Sequence, residues 1–241
     1  RYHGVVACAL GWACWKTYVG RPEADWPRAL AMGVLGNGLS DVDHNEQALS
    51  VREAEWAMRL RLGDSEKNML DIQINIAATY ASLGRREQAL QIERDIYARR
   101  LKIHGEEHVE TVQVAINYAV SLVNLQRDEE AKALLRKTIP VARRVLGENH
   151  ETLMMRKIYA KTLCRDPNAT LDDMREAVTT LEEVERTARR VLGGAHPLTV
   201  EIESSLRASR VVLRARDSGR EIDMESIREA VEAMRRAPGD A

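Results

Sequence analysis

His104, Glu107 and His108 match the H-x-x-E-H pattern, in which two histidines bind zinc and a glutamate acts as general base. That chemistry requires both histidines on one face of a continuous helix. Gly105 interrupts the segment, and similar letters recur 42 residues later as Leu-Gly-Glu-Asn-His over residues 146–150. We therefore interpret the match as the start of a repeated structural unit and predict no catalytic residue and no cofactor.

Three histidines recur at similar places, His108, His150 and His196. If the units stack as helix pairs, equivalent positions lie about 10 Å apart or more. Zinc needs its ligand nitrogens about 2.1 Å from one point. We therefore predict that these histidines bond backbone groups at helix starts and that no metal site forms. The cysteines are too few and scattered for a metal or disulfide pattern and are expected to be reduced: Cys8, Cys14 and Cys164.

Composition favours helices and excludes several classes of function. Of 241 residues, none is Phe, 4% are aromatic and 30% are charged, which argues against an all-β fold. The net charge of −1 provides no general attraction for nucleic acid or an anionic membrane. The longest apolar run, residues 4–15, is shorter than the roughly 18 to 20 residues of a membrane span and predicts a buried helix. We expect a cytoplasmic protein.

A repeat of 42 residues organises the chain. Gly63, Gly105 and Gly147 follow one another at this interval, and Gly193 comes 46 residues after Gly147. Such a period is typical of stacked supersecondary units. We predict a repeat domain over 21–239, preceded at 1–20 by an apolar amino-terminal helix or the end of a preceding region. The predicted units are 21–62, 63–104, 105–146, 147–192 and 193–239.

Each unit has the pattern of two helices. In the unit from Gly63, apolar residues at intervals of three and four define one buried face of the first helix. Gly84 and Arg85 form the predicted turn to the second helix. In the preceding unit, Trp26 and Leu30 are expected to face inward. The apolar residues of the two helices after Gly63 are Met69, Ile72, Ile76, Tyr80 and Leu83, then Ala89, Ile92, Ile96 and Tyr97.

The chain resembles the tetratricopeptide repeat, in the 42-residue form of kinesin light chains, over about residues 44–216. The resemblance implies an all-α solenoid of about five antiparallel helix pairs wound as a right-handed superhelix, with the first helices lining a concave groove. It also implies a non-catalytic scaffold that binds a protein or peptide. The residues that carry it are Leu192, Gly193, His196 and Thr199 at a repeat start, Asn75, Ala77 and Tyr80 in a first helix, and Gly84, Arg85, Glu87, Ala89 and Leu90 at the turn.

Asn75 and Asn117, 42 residues apart, are the main candidates for partner binding. In the family that the chain resembles, an Asn here bonds the backbone of an extended peptide, and an amide can donate and accept at once. Alternatively, these residues bond neighbouring backbone between repeats. The matching positions are Tyr159 and Ser205. Arg156 and Tyr159 are expected to select partner side chains, and the other predicted groove residues are Asn68, Asp71, Gln113, Asn124 and Glu201.

Pairs of arginines close several predicted helices, where cations interact favourably with the helix dipole. The alternative is a basic ridge for RNA, against which the interleaved acidic residues argue. A third possibility is the regulatory arm of a larger enzyme or signalling protein, since the chain begins with Arg. The partner and the oligomeric state stay open. The arginine pairs are 99–100, 143–144, 189–190 and 235–236.

Overall fold

A computed structural model describes residues 2–165 and 169–218 of the chain. These residues form ten helices and no strand, and consecutive helices pack on one another from α1 to α4 and from α6 to α10, so the predicted all-α solenoid is confirmed. None of these helices is both long and apolar enough to cross a bilayer. The helices are α1 (Tyr2–Tyr18), α2 (Trp26–Asp41), α3 (Asn45–Arg61), α4 (Glu66–Ser82), α5 (Arg86–His104), α6 (Val109–Asn124), α7 (Asp128–Leu146), α8 (His150–Arg165), α9 (Leu171–Val191) and α10 (Pro197–Asp217).

The chain divides into two compact units that meet in the sequence between Arg100 and Leu101, within α5. We refer to them as the amino-terminal unit and the carboxy-terminal unit. The predicted boundaries of the five repeats stay a prediction. The helix predicted after Gly219 lies outside the described residues.

The helix ends follow the turn residues that the repeat predicted. Gly84 and Gly105 follow α4 and α5 with φ angles of +75° and +79°, a conformation that only glycine adopts without steric cost. Gln126 lies 42 residues after Gly84 and takes the same conformation, with φ of 59°. This turn of the repeat therefore keeps the left-handed backbone conformation even where glutamine, which adopts it less readily than glycine, occupies the position.

The helix starts partly confirm the predicted role of the histidines. The Nδ1 atoms of His108 and His196 each accept a backbone N–H two residues on, at 3.2 Å. His150 does not do this, because it is the first residue inside α8. Asn149 takes the capping position there, and its side-chain oxygen accepts the backbone N–H of Thr152 at 2.9 Å. Because Asn149 is the cap, α8 begins one residue earlier than the spacing of Gly105 and Gly147 suggested.

In the amino-terminal unit, α1 packs very closely on α2. A Cβ atom added to Gly38 would lie 2.7 Å from the carbonyl oxygen of Ala7, and one added to Gly11 would lie 2.9 Å from the Cα of Leu35. The other side of α1 is exposed, with Val5 60% and Leu10 61% accessible. The prediction that residues 4–15 form a buried helix was therefore wrong on burial, because small residues bury only one face of this helix.

The inward placement of Trp26 and Leu30 was also wrong. Both are exposed, at 71% and 50%, although they do lie in a helix, α2. The buried side of α2 contains Leu35 and Leu39. Leu39 is nine residues from Leu30, which places the two side chains on opposite sides of a helix. The large residues at the start of α2 therefore point away from its packed face.

In the carboxy-terminal unit the first helices of successive pairs touch each other. The helix α8 packs on α6 and on α10 as well as on α7 and α9. Among the described residues, α7 and α9 have no comparable contact. A stack in which the first helices approach more closely curves toward them, so α6, α8 and α10 line its inner face. The centre of this unit is α8, whose Leu153, Met155 and Leu163 are fully buried.

Candidate peptide-binding faces

A line of exposed side chains runs along α4 in the amino-terminal unit. Its members recur at intervals of three and four, which keeps them on one face of the helix. Leu70 and Ala77, on the packed side, are almost completely buried. We name this line the α4 stripe, and its members are Asn68, Asp71, Asn75, Ala78 and Ser82. The structure therefore brings together three residues that the sequence predicted for the groove.

Asn75 has a side chain that is free to bind another molecule. Its backbone oxygen accepts the hydroxyl of Thr79 at 2.7 Å and the guanidinium of Arg52 at 3.1 Å. Its side-chain amide has no hydrogen-bond partner in the described part of the chain. The alternative role, a bond from this amide to neighbouring backbone, is therefore not observed.

The other two predicted residues on α4 are already occupied by contacts within the chain. The amide of Asn68 donates to the carboxylate of Asp64 at 2.8 Å, close to the start of the helix. Asp71 accepts from the buried guanidinium of Arg100 at 2.5 Å. Both pairs lie within the amino-terminal unit, and they leave Asn75 as the available amide of this stripe.

A similar stripe runs along α6 in the carboxy-terminal unit. Nearly all the residues of α6 outside this stripe are buried, among them Val112, Ile116 and Ala119. The side-chain amides of the stripe make no hydrogen bond within the described residues. We name this line the α6 stripe, and its members are Val109, Gln113, Asn117, Val120 and Asn124.

The match between Asn117 and Tyr159 is wrong by one residue. Asn117 is the ninth residue after the cap His108 of α6, whereas Tyr159 is the tenth after the cap Asn149 of α8. Ile158 therefore occupies the place of Asn117. Counting from the glycines missed this shift, which the Asn at 149 could have signalled, because Asn is a favoured capping residue.

The side chain of Tyr159 instead contacts the second helices α7 and α9. It is buried, and its hydroxyl accepts from Nε of Arg136 on α7 at 2.8 Å and donates to Glu176 on α9 at 2.7 Å. Burial and the bond to Glu176 raise the pKa of this hydroxyl. Tyr159 therefore joins two helix pairs and does not face a groove.

Arg156 also makes contacts inside the stack. Its side chain is 7% exposed and pairs with Glu183 on α9 at 2.7 Å and with Glu148, before α8, at 3.4 Å. Counted from the caps, Arg156 corresponds to the buried Ala115 of α6. The structure therefore does not place Arg156 beside the α6 stripe, where it was predicted to select partner side chains.

The inner face contains residues of α8 that sequence reasoning missed, together with Glu201 of α10, which was predicted for the groove. In register with the α6 stripe, α8 carries the partly exposed Met154, the buried Ile158 and the exposed Lys161. Lys157 of α8 makes an ion pair with Glu201 of α10. This bond and the positive charges nearby lower the pKa of the Glu201 carboxyl, which stays ionised at neutral pH. The face is thus mostly neutral, with one fixed ion pair.

The arginine pairs at helix ends are engaged mainly by carboxylates of neighbouring elements. Arg143, Arg144, Arg189 and Arg190 do lie in the last turns of α7 and α9, as predicted, and the ion pairs neutralise part of the charge that an RNA ridge would need. Arg235 and Arg236 lie outside the described residues. The observed ion pairs are Arg100 with Asp71 at 2.5 Å, Arg143 with Glu148 at 2.7 Å, Arg144 with Glu107 at 2.8 Å and Arg189 with Glu203 at 2.6 Å.

The histidines do not form a zinc-protease site. His104 is the last residue of α5 and His108 precedes α6, so the two are not on one helix, although their rings stack at 4.4 Å. The rings of His150 and His196 lie 5.8 Å apart, closer than the 10 Å that repeat stacking suggested. Within residues 2–165 and 169–218, however, no group of three or more His, Cys, Asp or Glu side chains is arranged to hold a metal.

Sequence comparison identifies the repeats. The tetratricopeptide repeat family matches the chain at residues 69–110 and 111–152, two segments of the predicted 42-residue length. Residues 69–152 are tetratricopeptide repeats. The predicted resemblance to tetratricopeptide repeats is thereby confirmed, and its kinesin-light-chain type agrees with the solved structures described next. Comparison with curated protein sequences finds no match.

Solved structures share the fold of these tetratricopeptide repeats. The nearly identical TPR-like repeats of a Podosopora anserina protein described as a kinesin light chain match with a TM-score of 0.67, at 18% identity over 90% of this chain and 97% of that one. A single-residue variant of those repeats matches at 0.67, with 19% identity over 87% and 97%. BtubC (BKLC) from P. vanneervenii matches at 0.66, with 12% identity over 100% and 92%. At these identities the likeness shows the fold alone.

Proposed function

We propose that the protein is a non-catalytic scaffold that binds a peptide or helix of a partner protein on the exposed faces of its first helices. Tetratricopeptide repeats generally mediate protein interactions, and stacked repeats expose extended binding surfaces. The observation that carries the proposal is the set of free side-chain amides at Asn75, Gln113, Asn117 and Asn124.

Free amides suit the backbone of an extended peptide. Each offers one acceptor and two donor hydrogens, and can bond an N–H and a C=O of a peptide together. Such bonds hold a chain without regard to its side chains. On the inner face of the carboxy-terminal unit, selection would fall to Met154 and Lys161, which lie in register with the α6 stripe and are accessible. The expected partner segment carries an apolar residue that packs on Met154.

The chemistry of the described residues supports a role without catalysis. Burial raises the pKa of the Cys164 thiol, which opposes the thiolate that a nucleophilic cysteine requires. We propose a cytoplasmic location, in which the free thiols of Cys8, Cys14 and Cys164 stay reduced.

The test is quantitative affinity capture from native lysate with the immobilised full chain. We expect the wild type to recover partner proteins whose recovered amount falls at least fivefold with Asn117→Ala or Asn75→Ala. Gln88→Ala is the matched control, because Gln88 is an exposed amide on the second helix α5. Equal recovery with both asparagine variants would contradict the proposal, as would recovery that nuclease treatment abolishes.

A further inference from the structure

The carboxy-terminal unit contains an open cleft of about 570 Å³ that is separate from the α6 stripe. It lies where the end of α7 and the start of α8 meet the second half of α9. Four of its seven lining residues are arginines, and two are glutamates. They are Arg143, Glu148, Arg156, Glu183, Arg186, Thr187 and Arg190.

The two carboxylates of the cleft are already neutralised by two of its arginines. Arg156, almost completely buried, contacts both Glu148 and Glu183. Arg143 makes a second ion pair with Glu148 at 2.7 Å. This network occupies the acidic groups and holds a buried guanidinium in place.

Arg186 and Arg190 supply the positive charge that remains. They lie four residues apart on α9, which places them on neighbouring turns of the same face. Both are exposed. Arg186 donates only to the backbone oxygen of Glu182, at 3.3 Å, and Arg190 has no ion pair in the described part of the chain. Four guanidinium groups against two carboxylates leave the cleft with an excess of two positive charges.

We propose that this cleft binds the phosphoryl group of a phosphorylated segment in the protein partner. A phosphoryl group carries about −1.5 to −2 charges at pH 7, which matches the excess in the cleft. Guanidinium forks bind its oxygens in pairs. The inference rests on the proposed function, since the phosphoryl group is carried by a bound partner.

The charges around the cleft favour a single phosphoryl group over a nucleic acid backbone. Glu182 and Glu185, on the same helix α9, form ion pairs with Arg210 and Arg189, so these arginines are not available to an extended row of phosphates. A single phosphate needs only the charge inside the cleft. RNA binding in the cleft would therefore overturn the proposal.

The test uses three peptide libraries in which random residues flank a fixed phosphoserine, serine or glutamate. The immobilised full chain should retain the phosphoserine library at least tenfold more than the serine library. We expect Arg186→Ala/Arg190→Ala to reduce this ratio to within twofold of one. Arg214→Ala/Arg216→Ala is the control of equal charge change, because these exposed residues lie in the last turn of α10 and do not line the cleft. It should retain the wild-type ratio.

Several results would overturn the proposal. The first is that the wild type shows no preference for phosphoserine, and the second is that Arg186→Ala/Arg190→Ala keeps this preference. The third is that the control variant loses the preference equally. The fourth is that single-stranded RNA displaces the peptides but phosphoserine does not. Free inorganic phosphate serves as a further competitor. If low millimolar phosphate displaces the phosphoserine library, the cleft is a site for the anion alone, which would also overturn the proposal. Asn117→Ala should lower the retention of the serine and phosphoserine libraries by the same factor and leave their ratio at the wild-type value, so failure of the cleft and failure of the peptide-binding face can be told apart.

Discussion

The contact between α1 and α2 provides a sharp test of the structure of the amino-terminal unit. In Gly38→Ala, the new methyl group would lie 2.7 Å from the carbonyl oxygen of Ala7 and 2.7 Å from the Cα of Cys8. Carbon contacts normally lie at about 3.5–4.0 Å, so the two helices must separate by roughly 1 Å. Because both neighbours are backbone atoms, no side-chain rotation can relieve the clash.

The expected loss follows from two opposing effects. Overpacking of a tight contact costs about 1–3 kcal/mol. Alanine in place of a helical glycine recovers about 0.5–1 kcal/mol. The net change is a destabilisation of about 1–2 kcal/mol in the attachment of α1. Gly33→Ala, on the same helix, is the control, because its Cβ would lie 3.7 Å from the nearest atom, an oxygen of Glu55, and should stabilise the unit by about 0.5–1 kcal/mol.

Hydrogen exchange of the α1 amides measures this attachment directly. A loss of about 1–2 kcal/mol corresponds to a roughly 5- to 30-fold larger open population, and exchange in α1 should accelerate by that factor in Gly38→Ala. In Gly33→Ala exchange should be equal to or slower than in the wild type. Unchanged protection in Gly38→Ala, or equal acceleration in both variants, would refute the close packing of these helices.

Four further predictions concern local features. Gln126→Gly should stabilise the protein by about 0.5–1 kcal/mol in urea denaturation, because the left-handed φ of 59° costs an L-residue about 1–2 kcal/mol and glycine returns part of this as chain entropy. Burial raises the pKa of Glu55, so the stability of the wild type relative to Glu55→Gln should fall as pH rises from the ordinary carboxyl pKa through that raised value. Urea titrations of both proteins at about pH 4, 5.5 and 7 measure the free energies of unfolding. A wild type that becomes more stable relative to Glu55→Gln as pH rises would contradict this prediction. Thr170→Ala removes the capping box of α9 and should cost about 1 kcal/mol in thermal or urea unfolding, whereas Thr170→Ser should not. Cys164 should react with iodoacetamide more slowly than a cysteine in a short peptide at about pH 8, because burial raises the pKa of its thiol, and an equal rate would contradict this.

The helical architecture and the exposed stripes could be predicted from the sequence alone. The 42-residue period and the apolar spacing are local patterns, and each helix carries its own copy. The positions of the turns at Gly84 and Gln126 follow from the period, and the exposure of Asn68, Asp71 and Asn75 follows from the roughly 3.6-residue repeat of the helix.

Only the tertiary structure decided which polar side chains are free to bind. Arg156 and Tyr159 lie on a first helix, as predicted, but their partners come from other helices that the period does not specify. The single-residue shift at Asn149 moved Ile158 into the place of Asn117. A helix turns by about 100° per residue, so such a shift moves a side chain from one face to another. Local periodicity therefore determines where the helices lie, while long charged side chains take their positions from the helices packed around them.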